Sequence, residues 1–257
     1  MNENMAVVGV GVVGKATATL FGIEKKFDID ETKSTATLPE IAECRYIFVC
    51  LPTPVKNGDY VTSDISAIVR QINDYRQGPI FIIRSTVWPG YSNSLFSEVR
   101  PEAVISNPEF LSEDTWQKDI RYPPFILIGG SQGRFLEEVS SLYRNVTKHA
   151  PIILTDNITA EAAKLVMNAF FATKVVFANQ MYDWAQKAGA NYERIKEVLE
   201  KHPFGMKNHA TIWYKGKRGV HGKCLPKDLE AFANSSKLPI LESVWQYNEQ
   251  IKNQTEG

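Results

Sequence analysis

Seven short apolar runs punctuate the first 155 residues: MAVVGV, KKFDID, YIFVCL, PIFIIRS, AVISN, FILIGG and PIILTD. Each has the length of a strand, and most are separated by segments of helical period such as DISAIVRQINDYR and FLEEVSSLYRNV. A chain that alternates in this way buries its runs in a mostly parallel sheet with helices on both faces, because parallel neighbours need crossover connections. The predicted class is α/β with a doubly wound sheet. With 257 residues and 44% hydrophobic content there is material for one large or two modest domains.

Beyond about residue 158 the period changes. TAEAAKLVMNAFFATKVVFANQMYDWAQKAG contains neither Gly nor Pro until its end, and Thr159 followed by Glu161 suits a helix start. NYERIKEVLEKH predicts a second amphipathic helix. A Gly-rich cationic loop then leads to a third helix from about Pro226, and PILESVWQYNEQIKNQ forms the last. The expected division is a sheet domain over residues 1–158 and an α-helical domain over 159–257. Met167, Phe170, Phe171, Phe177, Met181 and Trp184 exceed what a short helical domain can bury, which predicts a homodimer through residues 159–188.

Charge excludes some partners. Lys+Arg (29) equals Asp+Glu (29), so no global field holds nucleic acid or an anionic membrane. Cys44, Cys50 and Cys224 are too few and scattered for a disulfide framework, and without a C-x-x-C pair no metal site is expected. The run MAVVGVGVVGKATATLFGI follows the polar MNEN, lacks a cationic leader and is interrupted by Lys15, so it reads as strand, turn and helix rather than a signal peptide. No other stretch reaches membrane-spanning length, and the expected location is cytoplasmic.

Gly9, Gly11 and Gly14 form G-x-G-x-x-G between the first apolar run and KATATLF. In such a strand-to-helix turn the first glycine permits the tight turn, the second admits a pyrophosphate to the backbone, and the third lets helix and strand pack closely. The helix N-terminus at Val12 and Val13 offers N–H groups and the positive dipole end to phosphate. FDID ends the second run with an acid about 20 residues on, the expected partner of the ribose hydroxyls. Asp28 is preferred to Asp30 because it follows the apolar run directly. An acid there disfavours a 2′-phosphate, so the first domain is predicted to be Rossmann-like and to bind NAD rather than NADP. The competing reading is a Gly-rich turn that serves packing alone.

STVWPG (85–90) and NPEFLSED (107–114) each follow an apolar run. Ligands of open α/β sheets gather at strand carboxyl ends, which places Thr86, Glu109 and Glu113 near the cofactor crevice. Glu109 and Glu113 share a face if their stretch is helical, and the alternative is a solvated helix surface. Lys164 and Asn168, also four apart, either donate together to a developing oxyanion or respectively snorkel and cap a neighbour. In HGKCLPKDLEAF, Pro226 suits a first helical turn and sets Cys224 at or just before the N-terminus. The dipole, Lys223 and Lys227 there favour thiolate, the nucleophilic form of cysteine. Cys50, inside FVCL, reads instead as structural. Asp228, one turn on, serves as base or holds a water. From Lys201 to Lys227 there is no acid but seven Lys/Arg and three histidines, either a grip for an anionic substrate such as a diphosphate, a solvated basic loop or a weak nucleic-acid contact.

GVGVVG, FDID, VCLPTP, STVWPG, NPEFLSE, AAKLVMNAFFATKVVFAN and GKCLPKD, in this order across essentially the whole chain, resemble the UDP-glucose/GDP-mannose dehydrogenase family. The resemblance implies oxidation of the C6 alcohol of a nucleotide sugar to a carboxylate with reduction of two NAD. It makes Cys224 the nucleophile that captures the C6 aldehyde as a thiohemiacetal and then carries a thioester. Lys164 and Asn168 become oxyanion donors, and Asp228 and Glu109 handle water and protons. Thr53, Thr86, Glu113 and Lys227 line the nicotinamide side, and Lys33 matches a basic position near the adenosine.

Family members normally continue into a second Rossmann-like domain that holds the substrate nucleotide. The sequence stops before it, so a short form is expected: a separate polypeptide completes the site, the substrate is smaller, or activity has been lost. His221 and Lys223 replace small residues of the family's GxGGxC, and Trp88 replaces a smaller one; a Cβ reshapes the pocket if positive φ is required. Two rivals remain. A two-electron dehydrogenase of the β-hydroxyacid type gives Cys224 no task, and a non-catalytic NAD-binding subunit has no need of the polar set.

Overall fold

The computed structural model describes residues 2–254. The strands are β1 (Met5–Val8), β2 (Lys25–Phe27), β3 (Tyr46–Val49), β4 (Val55–Lys56), β5 (Asp59–Tyr60), β6 (Ile80–Ile83), β7 (Ala103–Ser106), β8 (Ile126–Gly129) and β9 (Ile152–Thr155). The α-helices are α1 (Val12–Phe21), α2 (Leu38–Ala42), α3 (Ser63–Tyr75), α4 (Tyr91–Val99), α5 (Trp116–Arg121), α6 (Gly133–Val146), α7 (Asn157–Ala188), α8 (Tyr192–Lys201), α9 (Leu225–Ser236) and α10 (Pro239–Ile251). They group into two compact units: residues up to Thr53 with Val61–Lys164, and Pro54–Tyr60 with Leu165 onward. No helix among the described residues is long and apolar enough to cross a membrane.

In the first unit all seven predicted runs become strands of one sheet, ordered β2-β1-β3-β6-β7-β8-β9. All neighbours pair in parallel except β7 and β8. Alternate residues feed two cores. Met5, Val7, Phe48, Ile80, Ile82 and Ile105 meet Phe135 and Val139 of α6 on one face. Ala6, Val8, Ile47, Val49, Phe81 and Ile83 meet Ile65, Val69 and Ile72 of α3 on the other. Burial on both faces explains why these strands read as unbroken apolar runs. The order reverses beside β1, which opens the crevice used by doubly wound folds.

α7 starts at Asn157, two residues before the predicted Thr159, because Asp156 is the cap. Its Oδ1 accepts the Thr159 N–H at 2.9 Å, and its carbonyl accepts the Ala160 N–H at 3.1 Å.

In the second unit, α7 from Leu165 packs with the later helices. Ala172 and Val176 meet Val220, Leu229 and Val244, and Ala178 and Ala185 meet Tyr192 and Ile212. Of the apolar side chains predicted to be unpartnered, Phe170, Phe177 and Trp184 are exposed. Met181 packs against the Ala178 cluster, and Phe171 stacks on His209 with ring centroids 4.8 Å apart.

Burial, reinforced by the nearby Lys174 ammonium, holds His209 below the ordinary histidine range. The folded state therefore favours neutral imidazole, a contribution fully present above the unfolded value near 6.5 and lost as pH falls through the folded value. Melting temperature is expected to drop as pH is lowered from 7 toward 5, and His209→Phe should flatten that limb in scanning calorimetry.

Candidate active site

The glycine turn between β1 and α1 separates three roles by geometry. Gly9 has φ +89°, and a Cβ there would stand 2.6 Å from the Cys50 carbonyl oxygen. On Gly14 a Cβ would lie 1.9 Å from the Gly9 carbonyl oxygen. Gly11 is exposed and faces open space, with nothing within 4 Å of its Cβ position. The space a Cβ would fill is thus the approach to the backbone N–H groups of Val12 and Val13, which as first residues of α1 have no intrahelical acceptor.

Asp28 follows β2, and its Oδ2 accepts the Val10 N–H at 2.6 Å while Oδ1 accepts the Asp30 N–H at 2.9 Å. The preferred acid therefore lies against the glycine turn. Asp30 instead caps a short 3-10 turn and pairs with Lys33 at 2.8 Å, which pulls the Asp30 carboxyl down to about 2. Lys33 is committed to that exposed pair, and the pairing raises its ammonium above the ordinary lysine range.

At the carboxyl ends of the strands, Thr53 Oγ1 donates to the Thr86 carbonyl at 2.7 Å, and Ser85 Oγ to that of Leu51 at 2.7 Å, tying the segments after β3 and β6 together. A buried set that sequence inspection did not find fixes the next pair. Arg84 Nη1 donates to Asn107 Oδ1 at 2.5 Å and to Tyr143 Oη at 2.7 Å, and Asn107 Nδ2 donates to the Leu127 carbonyl at 2.8 Å. Arg84, Asn107 and Glu109 help line a cavity of about 340 Å³ walled by Phe110 and Phe125.

Glu161, another missed residue, accepts the N–H groups of Gly90 at 2.6 Å and Ser92 at 2.9 Å, so it clamps the N-terminus of α4 and the turn that carries Thr86. Burial raises its carboxyl above the usual range despite these donors.

Two expectations are corrected at this edge. Residues 107–112 are not helical, and Glu113 lies exposed in the following turn, so Glu109 and Glu113 do not share a helix face. The chain after β7 begins Asn107-Pro108, and proline disfavours helical backbone in the residue before it. Lys164 does not snorkel: it is buried, with Nζ 3.5 Å from Glu109 Oε1 and 5.2 Å from the Phe110 ring centroid. Glu109 Oε2 also accepts the Leu111 N–H at 2.6 Å.

The second unit carries the thiol. Cys224 is the N-cap residue of α9, exposed, with Pro226 in the first turn, and its carbonyl accepts the Asp228 N–H at 3.0 Å. Cys44 and Cys50 are buried, and burial pushes the Cys50 thiol up to about 11 and raises that of Cys44. Asp228 is buried, not solvated. Its Oδ2 accepts Asn168 Nδ2 at 2.6 Å, and its Oδ1 accepts Tyr60 Oη at 2.6 Å and Lys227 Nζ at 2.5 Å.

Asn168 thus engages a carboxylate, and the amide nitrogen is fixed as the donor because an ionised carboxylate only accepts. Lys227 also lies 4.7 Å from the Tyr60 ring centroid. Tyr60 was missed, although Asn57-Gly58 between VK and DY is the strongest short hairpin signal in the sequence.

The cationic stretch is only partly a surface feature. Arg218 is buried, 2.8 Å from Asp183 and bonded through Nε to Asn179 Oδ1 at 3.0 Å, so it holds the loop. Lys201 pairs with Glu197 at 2.6 Å. Positive φ in the loop before Cys224 falls on Asn208 (66°), Lys215 (52°), Gly216 (74°), Gly219 (86°) and Gly222 (92°), not on His221 or Lys223, whose side chains are therefore accommodated without backbone strain.

Residues 24–147 match the NAD binding domain of the UDP-glucose/GDP-mannose dehydrogenase family, and residues 158–250 match its central domain. Among curated relatives, a UDP-glucose 6-dehydrogenase of Rickettsia bellii is 30% identical over 79% of this chain and 48% of its own length. A GDP-mannose 6-dehydrogenase of Azotobacter vinelandii is 30% identical over 78% of this chain and 50% of its own. The chain thus spans about half the length of these relatives. A UDP-glucose dehydrogenase structure from Pyrobaculum islandicum superposes with a TM-score of 0.84 at 23% identity, covering 96% of this chain and 68% of that one, which establishes the shared fold.

Proposed function

Because the chain belongs to the UDP-glucose/GDP-mannose dehydrogenase family and binds NAD through its Rossmann domain, we propose that it oxidises the C6 alcohol of a nucleotide sugar to the carboxylate, as a UDP-glucose 6-dehydrogenase-type enzyme. The observation that carries the reading is the exposed Cys224 at the N-terminus of α9, one turn before the buried Asp228. NAD, when bound, supplies the acceptor for the two electron pairs that alcohol-to-acid oxidation releases.

Cys224 Sγ attacks the aldehyde carbon to give a thiohemiacetal, and water later displaces the thiol from the thioester. Lys164 and Asn168 stabilise the oxyanions, and Glu109 and Asp228 move the protons. Thr53, Thr86, Glu113 and Lys227 serve the nicotinamide side. Overall, alcohol, water and two NAD⁺ become acid, two NADH and two protons.

The test is NADH formation with UDP-glucose, UDP-galactose, UDP-N-acetyl sugars and GDP-mannose. Two NADH per sugar support the reading. NAD binding without turnover on any of them sinks it.

The exposed Phe170, Phe177 and Trp184, spaced by seven along α7, supply an apolar stripe for a homodimer. Wild type is expected to run as a dimer in light scattering and Phe177→Asp as a monomer. A monomeric wild type at working concentration removes the dimer.

A further inference from the structure

Tyr60 comes from a segment with no place in the chemistry described so far. The β4–β5 hairpin pairs Val55 with Tyr60 and Lys56 with Asp59, and its two-residue loop has positive φ at both Asn57 (53°) and Gly58 (82°). That loop twists with its strands, as type I′ loops do. The tip sits tightly on α9, since a Cβ on Gly58 would stand 2.8 Å from Asn234 Nδ2. Tyr60 is 7% exposed, so this hairpin fixes a buried phenol against the first turn of the helix that Cys224 caps.

A buried carboxylate must satisfy both oxygens, because burial has removed the water that would otherwise solvate them. On Asp228 the Oδ2 side belongs to the buried amide of Asn168. The Oδ1 side has Tyr60 and Lys227. Lys227 is a weak orienter: its side chain retains 25% exposure and rotates about four bonds. The phenol is rigid and enclosed. Burial and the adjoining carboxylate keep it un-ionised well beyond the usual tyrosine range, so it remains a donor throughout.

We propose that Tyr60 is a positioning residue that locks the Asp228 carboxylate, together with Asn168, at the start of α9. Its importance for turnover rests on the role given above to Asp228 and Asn168. Without the hydroxyl, Oδ1 is left to Lys227, the carboxylate turns, and the Asn168 amide turns with it.

The test uses the full chain as wild type, Tyr60→Phe and, as a control on hairpin packing, Val55→Ala. The side-chain amide resonances of Asn168 read the carboxylate directly, and steady-state kinetics with the sugar nucleotide that yields NADH read its consequence. Tyr60→Phe is expected to move or broaden the Asn168 amide signals and lower kcat about tenfold to a hundredfold with KM little changed, as misorientation does. Val55→Ala should do neither. Unmoved amide signals in Tyr60→Phe, or the same changes in Val55→Ala, overturn the proposal. If wild type turns over no sugar nucleotide, the proposed function fails by itself, and the amide signals alone still decide for or against Tyr60.

Discussion

Cys224→Ser is expected to reduce sustained NADH formation from the sugar nucleotide by at least about a thousandfold, or to stall it after one NADH equivalent. A serine hydroxyl at the same N-cap is almost wholly protonated near neutral pH, so the covalent adduct that carries the second oxidation does not accumulate. No other thiol can substitute, because Cys44 and Cys50 are buried and held in the thiol form. Iodoacetamide should accordingly label Cys224 first. Full activity in Cys224→Ser would instead favour two-electron chemistry of the β-hydroxyacid type, which has no use for a thiol and leaves the lysine and asparagine of α7 to do the work.

Gly14→Ala and Gly11→Ala should separate folding from cofactor binding. The methyl of Gly14→Ala would meet the Gly9 carbonyl oxygen at 1.9 Å and Val7 Cγ1 at 3.2 Å. Backbone on one side and a packed strand on the other leave little room to yield, so β1 and α1 must separate at a cost of about 3 kcal/mol.

The methyl of Gly11→Ala meets no protein atom within 4 Å and is placed on backbone with φ −76°, which alanine adopts freely. Its effect on stability should stay within about 0.5 kcal/mol. NAD affinity should nevertheless fall at least about tenfold, because the methyl occupies the approach of the pyrophosphate. Thermal melts with calorimetric NAD titration read both quantities. Equal destabilisation in the two variants, or undiminished NAD binding in Gly11→Ala, would mean that the glycines serve packing alone.

The period of the apolar residues by itself determined the seven strands of the sheet, the helices α3 and α6 between them, and the four helices after residue 156; it did not mark β4, β5, α2, α4 or α5. That much is written locally: a strand buried on two faces must be apolar throughout, and a helix buried on one must repeat near 3.6. The spacing of Gly9, Gly11, Gly14 and Asp28 determined the nucleotide turn for a similarly local reason: a Cβ on Gly9 would meet the Cys50 carbonyl after β3, one on Gly14 would meet the Gly9 carbonyl, and Gly11 leaves the start of α1 open.

Tertiary structure alone decided who holds whom. Arg84, Asn107 and Tyr143 meet from three elements, Glu161 of α7 caps α4, and Tyr60 reaches Asp228 across 168 positions of chain. Such pairings depend on the geometry of packed elements and on the need to satisfy each buried polar atom, and a hydrogen bond between residues far apart in the chain leaves no period in the sequence. Asn57-Gly58 signalled the turn that presents Tyr60. Only the packed hairpin supplied its acceptor.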